Sequence, residues 1–560
     1  MISRFNRSLF TAAGLSALLA LSAPMTAATH ASDWPTLGGD EKRAGVSDEK
    51  IVPPLSLLWR YTAVPNGSAA AADAAPTVVG DTAYFAAKNN PDKNAGAVLF
   101  ALDTKTGARK WVYPNDYGMR DKTVFLTAPV VSGDSIYIGA SDGYLYILDK
   151  NSGREKSKIR ESGGIGGAPV VLDNTVYFGS NDHHVYAFDT ATLAPSPGWK
   201  TPFAALEAIN SALLVADGYL YFTTSDQYVH ALVLGSGRTK WASRLPFKFE
   251  GNALAYADNT LYIPSGPRLF AFQPTSGNFR WTVDLPGEIL APPAAGDGVV
   301  FVGCRDSASQ QFLFYAIRSG NHRSFWASPI TLPGAPSAAA TIVGDVVYVP
   351  TKRGIIVALD RLTGATLWQY RMQPSSNHLI DTPPTETTIA ASLAVANGTV
   401  YAVAGDGSIS AFRADAPDTS APLLTARYPA PAQSIYGGPG MVITGTVVDP
   451  GSGLDTSSIQ MTLDHIAVTT GYNAALNLAY YQRKGSSKQV DTGSSLSNGR
   501  HEVTLTAKDY RGNVLNETWS FIVDNNLKAP GVNYDTPNVP ATSPTRPGGI
   551  TAPGRRRSGL

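Results

Sequence analysis

The sequence predicts an all-β protein: an eight-bladed β-propeller followed by a two-sheet β-sandwich. Three observations carry this. A strand-turn-strand unit, "VVYVPTKRGIIVALDRLTGATLWQY" at 346–370, recurs as "LYFTTSDQYVHALVLGSGRTKW" and "LYIPSGPRLFAFQPTSGNFRW". Composition joins Tyr 25, Phe 20, Gly 53 and Pro 39 to only 16% charged residues, the balance of many short strands and tight turns. The pattern then changes at Pro417. A chain of 560 residues exceeds one ordinary core, so a repeat array plus a separate module accounts for its length.

The first element is a signal peptide over residues 1–31. Arg4 and Arg7 precede the apolar run "LFTAAGLSALLALSA", which small residues follow with cleavage sites after Ala28 or Ala31. The run is shorter than the ~20 apolar residues that span a bilayer. Cys304, the only cysteine, lies far from the position a lipid anchor needs. The expectation is export without a transmembrane or lipid anchor, to the periplasm, cell surface or extracellular space, as a monomer. One cysteine also rules out an intrachain disulfide, so packing alone stabilises the fold. A net charge of +1 excludes nucleic acid as an expected partner.

The propeller is expected over residues 32–415. Each copy has a strand ending in an aromatic: Tyr84, Tyr137, Tyr177, Tyr221, Tyr262, Phe301, Tyr348 and Tyr401. Tyr84 to Tyr401 is 317 residues over seven intervals, a mean near 45, the spacing of four-stranded propeller blades. Nine residues before each aromatic stands a compact residue: Ala75, Ala128, Ala168, Ala212, Ala253, Pro292, Ala339 and Ser392. These suit first strands crowding an axis. A turn Gly is followed four residues later by Trp111, Trp241, Trp281 and Trp368; Trp199 and Trp326 keep the aromatic at other spacings, and Ser157 replaces it. Such a Trp packs between neighbouring blades. The eighth copy stops before any Trp, while Trp59 stands upstream with no blade of its own, so residues 57 to 61 are predicted to pair near Ser408 to Phe412 and close the ring.

The "DWPTLGGDEKRAGVS" entry, "PPLSLLWRY", the "ALDTKTGARKW" and "ALDRLTGATLW" turns and the "APVV" first strands resemble exported proteins with quinoprotein-like (PQQ-like) β-propeller repeats. That superfamily includes pyrroloquinoline-quinone-dependent dehydrogenases, and also cofactor-free propellers such as the scaffold lipoprotein of the outer-membrane β-barrel assembly machinery. The resemblance therefore implies the fold without choosing an activity. Quinoprotein alcohol dehydrogenases hold their cofactor beneath a vicinal disulfide, above a tryptophan and beside calcium. A chain with one cysteine cannot form that disulfide.

Beyond the Pro-rich joint, residues 416–525 read as strands "MVITGTVVD", "SIQMTLD", "HEVTLTAKD" and "TWSFIVD" between turns, and "SNGRHEVTLTAKDYRGN" resembles bacterial immunoglobulin-like domains. With Pro417 and Pro422 flanking the link, this domain is expected to be separable and to fold alone. Residues 526–560 form a Pro-rich disordered tail, and Arg555 to Arg557 are read as solvated charges.

Candidate chemistry is sparse. His183 and His184 are adjacent, and strand neighbours point to opposite faces. "GGIGG" at 163–167 precedes a strand rather than a helix and lacks the P-loop lysine. Asp449, Asp455 and Asp509 have the oxygen chemistry of a calcium site but sit beside turn-forming Gly and Asn. Cys304 reads as a packed thiol. Asp73, Glu207, Lys248, Glu250 and Glu288 precede first strands and so ring one mouth of the channel, where a ligand or acid–base pair belongs. The expected function is a non-enzymatic scaffold without cofactor or metal, presenting surfaces to protein or glycan partners. The alternative is a quinoprotein oxidoreductase using pyrroloquinoline quinone with calcium, or a polysaccharide-acting enzyme, at the channel mouth.

Overall fold

The structure is a computed structural model that describes residues 33–63, 74–88, 96–114, 123–199, 201–247, 254–373, 387–389, 391–474, 476–483 and 495–527. The expected signal peptide, the tail from 528 onward with Arg555 to Arg557, Asp73, Lys248, Glu250 and Ala253 lie outside the described residues. No helix among the described residues is long and apolar enough to cross a membrane.

The described strands form ten sheets. Eight of them repeat one antiparallel plan, a short innermost strand followed by longer ones stepping outward. In the seventh these are Thr341–Val343, Val346–Pro350, Ile355–Asp360 and Thr366–Arg371. Asp360 shows why the turn falls where it does. Its Oδ1 accepts from the Thr363 amide and hydroxyl, both at 2.7 Å, and Gly364 takes φ +78°, a conformation that favours glycine. Asp103 and Asp149 form the same turn. These hydrogen bonds hold all three carboxyls below the usual Asp range. The eight repeat aromatics from Tyr84 to Tyr401 are all buried.

The eighth sheet takes its outer strand from the far end of the sequence. Ala394–Ala396, Thr399–Val403 and Ser408–Arg413 come from local sequence, and the outer strand is Ser56–Thr62. Its register repeats that of the other sheets. Trp59 pairs with Ala411 beside a register shift, as Trp111 pairs with Ala101, Trp241 with Ala231, Trp281 with Ala271 and Trp368 with Ala358. A small residue opposite each indole leaves room for it. Where Ser157 replaces the Trp, its partner is the larger Ile147.

Each indole except that of Trp368, which reaches Ser452, then spans to the next sheet. Trp59 Nε1 donates to Thr104 O at 2.8 Å, Trp241 Nε1 to Pro274 O at 2.6 Å and Trp326 Nε1 to Arg361 O at 2.9 Å. The ring lies on the turn glycine of that sheet: a Cβ on Gly107 would stand 2.7 Å from Trp59, and one on Gly277 2.6 Å from Trp241. The third sheet receives no indole, because Ser157 precedes it, and its turn position is Leu193 at φ +55°. Each seam that carries an indole thus buries an aromatic of roughly 150–250 Å² and satisfies a turn carbonyl.

The remaining two sheets belong to residues 423–523. Leu423–Tyr428, Val442–Val448, Gly471–Asn473 and Leu478–Gln482 face Ser434–Ile435, Leu454–Leu463, Ile466–Val468, Gly499–Asp509 and Val514–Val523. Ile443, Val447 and Tyr481 from one sheet and Met461, Leu505 and Phe521 from the other share one buried core. The sandwich is seated on the seventh and eighth sheets rather than hung from its Pro-rich joint. Trp368 Nε1 donates to Ser452 O at 2.7 Å, Tyr370 Oη to Pro450 O at 2.8 Å and the Leu57 amide to Gly451 O at 2.9 Å.

Candidate functional site

The innermost strands of the eight sheets leave backbone donors on their axial edges, and buried amides require partners. Residues 34–49 supply them. The Val78 amide donates to Trp34 O at 2.9 Å, Val131 to Pro35 O at 2.9 Å, Val215 to Glu41 O at 3.0 Å, Tyr256 to Lys42 O at 3.3 Å, Ala295 to Ala44 O at 3.3 Å and Ile342 to Gly45 O at 2.7 Å. Glu49 finishes the circuit on the eighth sheet, its carboxylate accepting from the Asn397 and Gly398 amides at 2.8 and 2.7 Å. The segment is a collar whose backbone carbonyls meet the first, second, fourth, fifth, sixth and seventh sheets in order.

Arg43 is the collar's bond to the third sheet. Buried at φ +53°, it donates from Nη2 to Ala168 O at 3.1 Å and from Nε to Leu213 O, and Nη1 has no protein partner. Burial lowers its pKa to about 9.

Between the inner strands lies a cavity of about 260 Å³. Ala75, Ala128, Ala168, Ala212, Pro292, Ala339 and Ser392 line it, seven of the eight compact residues anticipated at the axis, with Trp34 and Arg43 of the collar. Arg43 is the one charged side chain among the described lining residues. Gly166 of "GGIGG" also lines it, and a Cβ on Gly163 or Gly167 would run into the backbone of Asn181–Asp182 or Ser211. Those glycines serve close approach at the axis.

Of the five mouth residues anticipated from sequence, the structure describes Glu207 and Glu288. They stand on separate connections, before the fourth and sixth sheets; both are exposed and neither lines the cavity. The structure does not bring these two together at the axis. His183 ends a turn at φ +74° and His184 begins the strand His184–Asp189, its Nδ1 hydrogen-bonding Asp182 O at 2.8 Å. Cys304 is fully buried, and burial pushes its thiol up to about 11, which removes it as a nucleophile near neutral pH. Sequence reasoning missed the collar and Arg43. The segment "DWPTLGGDEKRAGVS" has no strand period, and its partners are scattered over more than 300 residues.

The family model described as outer membrane protein assembly factor BamB matches residues 56–243 and again 235–439. The assembly factor BamB of Nitrosomonas eutropha is 26% identical over 227 residues, covering 40% of this chain and 53% of that protein. A quinohemoprotein alcohol dehydrogenase of Comamonas testosteroni is 31% identical over 138 residues, covering 23% of this chain and 18% of that protein. The chain therefore spans about half the length of the BamB relative and less of the dehydrogenase. Among solved structures, a europium-containing methanol dehydrogenase aligns with TM-score 0.53 at 14% identity, over 66% of this chain and 89% of its own. The Comamonas testosteroni enzyme aligns with TM-score 0.51 at 16% identity, over 73% of this chain and 83% of its own. These likenesses establish a quinoprotein-type β-propeller, and by the match over residues 56–439 the chain belongs to the outer membrane protein assembly factor BamB family.

Proposed function

We propose that this chain is an exported, non-enzymatic scaffold of the cell envelope, in which the eight sheets form one eight-bladed ring and the C-terminal sandwich is an immunoglobulin-like module. One observation carries the reading: the axial cavity is lined by small residues and by the chain's own collar, with one charged side chain among its described lining. The fit of pyrroloquinoline quinone with calcium is poor on the same ground. The described cavity lining offers alanines, one guanidinium and no carboxylate to hold a metal, and the lone cysteine is buried in the sixth sheet. A quinone needs a shaped site with a metal against its reactive carbonyl.

Binding is placed at the mouth opposite the collar, and the partner is a protein. Leu206 is 81% exposed on the connection before the fourth sheet, with Phe247 exposed on the next connection and Leu126 exposed on the one before the second sheet. Exposed apolar side chains at a rim favour a protein surface over a polysaccharide. Affinity capture from the native envelope tests this. Full-length protein is expected to retain a specific protein that the Leu206→Asp, Leu126→Asp double variant loses. Dye reduction by an alcohol or sugar that depends on added quinone and calcium would instead establish the oxidoreductase.

A further inference from the structure

At the seam between ring and sandwich, Asp418, Asp449 and Asp509 converge, with one ligand oxygen from each lying within 4.8 Å of the others. Asp418 comes from the Pro-rich joint, and Asp449 and Asp509 each end or follow a sandwich strand. Of the Asp residues noted in sequence, Asp455 is elsewhere, capping the Ser457 amide at 3.0 Å. Backbone amides hold the three carboxylates in place. Asp418 accepts from Ser420 and Ser452, Asp449 Oδ2 from Gly451 and Gly453, and Asp509 Oδ1 from Arg511 and Asn513.

Two further observations point to a ligand. Asp449 is only 3% exposed, and its Oδ1 has no partner at all. Ser452, fully buried and bonded through its amide to Asp418 at 2.7 Å, also has a hydroxyl without a partner. No lysine, arginine or histidine pairs with any of the three carboxylates among the described residues. Arg511, the cation next to Asp509, turns away to donate to Ser56 Oγ at 2.9 Å and to Ala414 O. Three carboxylates, Asp449 and Asp509 buried and Asp418 half-buried, lack a compensating charge.

We propose that Asp418, Asp449 and Asp509 bind one calcium ion that locks the sandwich to the ring. The donors are all hard oxygens, with neither nitrogen nor sulfur. Oxygens this close can share one ion, and calcium accepts irregular protein oxygen sets, whereas magnesium demands near-ideal octahedral geometry and keeps several waters. The loops so joined are those that grip the ring through Pro450, Gly451, Ser452 and Arg511.

The test uses the full chain, stripped with a chelator and titrated with calcium chloride. Terbium luminescence is a second readout, since Trp368 donates to Ser452 O and lies close enough to sensitise it. One ion per chain is expected, with a Kd of roughly 10⁻⁴–10⁻³ M and a melting temperature that rises as the site fills. Asp449→Asn should weaken binding at least about tenfold, the loss typical of a missing charged ligand, while Asp455→Asn should bind as the parent does. If Asp449→Asn does not fold, Asp418→Asn in the joint and the parent titration decide. No saturable binding up to about 10 mM calcium, binding that survives both variants, or equal affinity for magnesium would overturn the assignment.

Discussion

Trp326 and Trp368 end the same kind of seam in consecutive sheets but dock on different partners. Trp326 lies on Gly364 and donates to Arg361 O, both in the turn of the seventh sheet. Trp368 should find such a turn in the eighth sheet, but that sheet has none, because its outer strand is Ser56–Thr62 from the other end of the sequence. The sandwich fills the gap. Ser452 O takes the indole hydrogen bond, and Gly453, at φ +89°, lies against Gln369, Tyr370 and Trp368. An outer strand taken from a distant part of the sequence removes one turn from the eighth sheet, and a second module supplies the missing surface.

The largest expected effect comes from the indoles themselves. Trp326→Ala and Trp368→Ala should each cost on the order of 3–5 kcal/mol, as buried Trp truncations do, measured by denaturant unfolding. Only Trp368→Ala should also speed proteolysis of the joint at 415–424. Trp59→Ala belongs to the same class, and an unchanged melting point would refute the role given to the strand from Ser56.

Acid separates the ring's core from this junction. Burial pushes His230 down to about 4; it stacks on Phe222 at 4.9 Å and meets Thr224 Oγ1 at 3.2 Å. Its folded pKa lies below the unfolded value of about 6.5, so the unfolded chain takes up the proton first. Stability is full above pH ~6.5 and falls toward pH ~4, on the order of 2–3 kcal/mol. In unfolding followed against pH, His230→Phe should flatten that slope.

Glycine substitutions give the smallest contrast. Gly107→Ala meets both φ +69° and the Trp59 ring, whereas Gly80→Ala meets φ +59° with nothing within 4 Å. Gly80→Ala should cost about 1 kcal/mol, the left-handed penalty alone, and Gly107→Ala about 2 kcal/mol or more. Equal losses would mean that the indole does not lie on the turn.

The repeats were legible because they are local. The Asp-x-x-Thr-Gly turn, the paired aromatic and the Trp four residues beyond all lie within one hairpin. Trp59 gave away the distant pairing of its strand because it is a Trp of the right kind without local strands of its own. What was not legible depends on long-range partners. The collar from Trp34 to Glu49 bonds to backbone amides whose identity no side chain advertises. Asp418 reads as part of a joint until Asp449 and Asp509 are brought beside it. The Pro-rich link suggests a loose attachment, and only the missing eighth turn explains why the sandwich is seated so firmly.

The most direct test melts three chains by calorimetry: residues 33–527, the ring alone at 33–415 and the sandwich alone at 418–527. Because the sandwich has its own core, it should melt cooperatively alone. The ring alone should melt several degrees below the longer chain, with faster amide exchange along Thr366–Arg371, since Trp368 and Tyr370 lose their cover. A ring that melts at the same temperature as the longer chain, with exchange in that strand unchanged, would contradict the claim that the sandwich completes it.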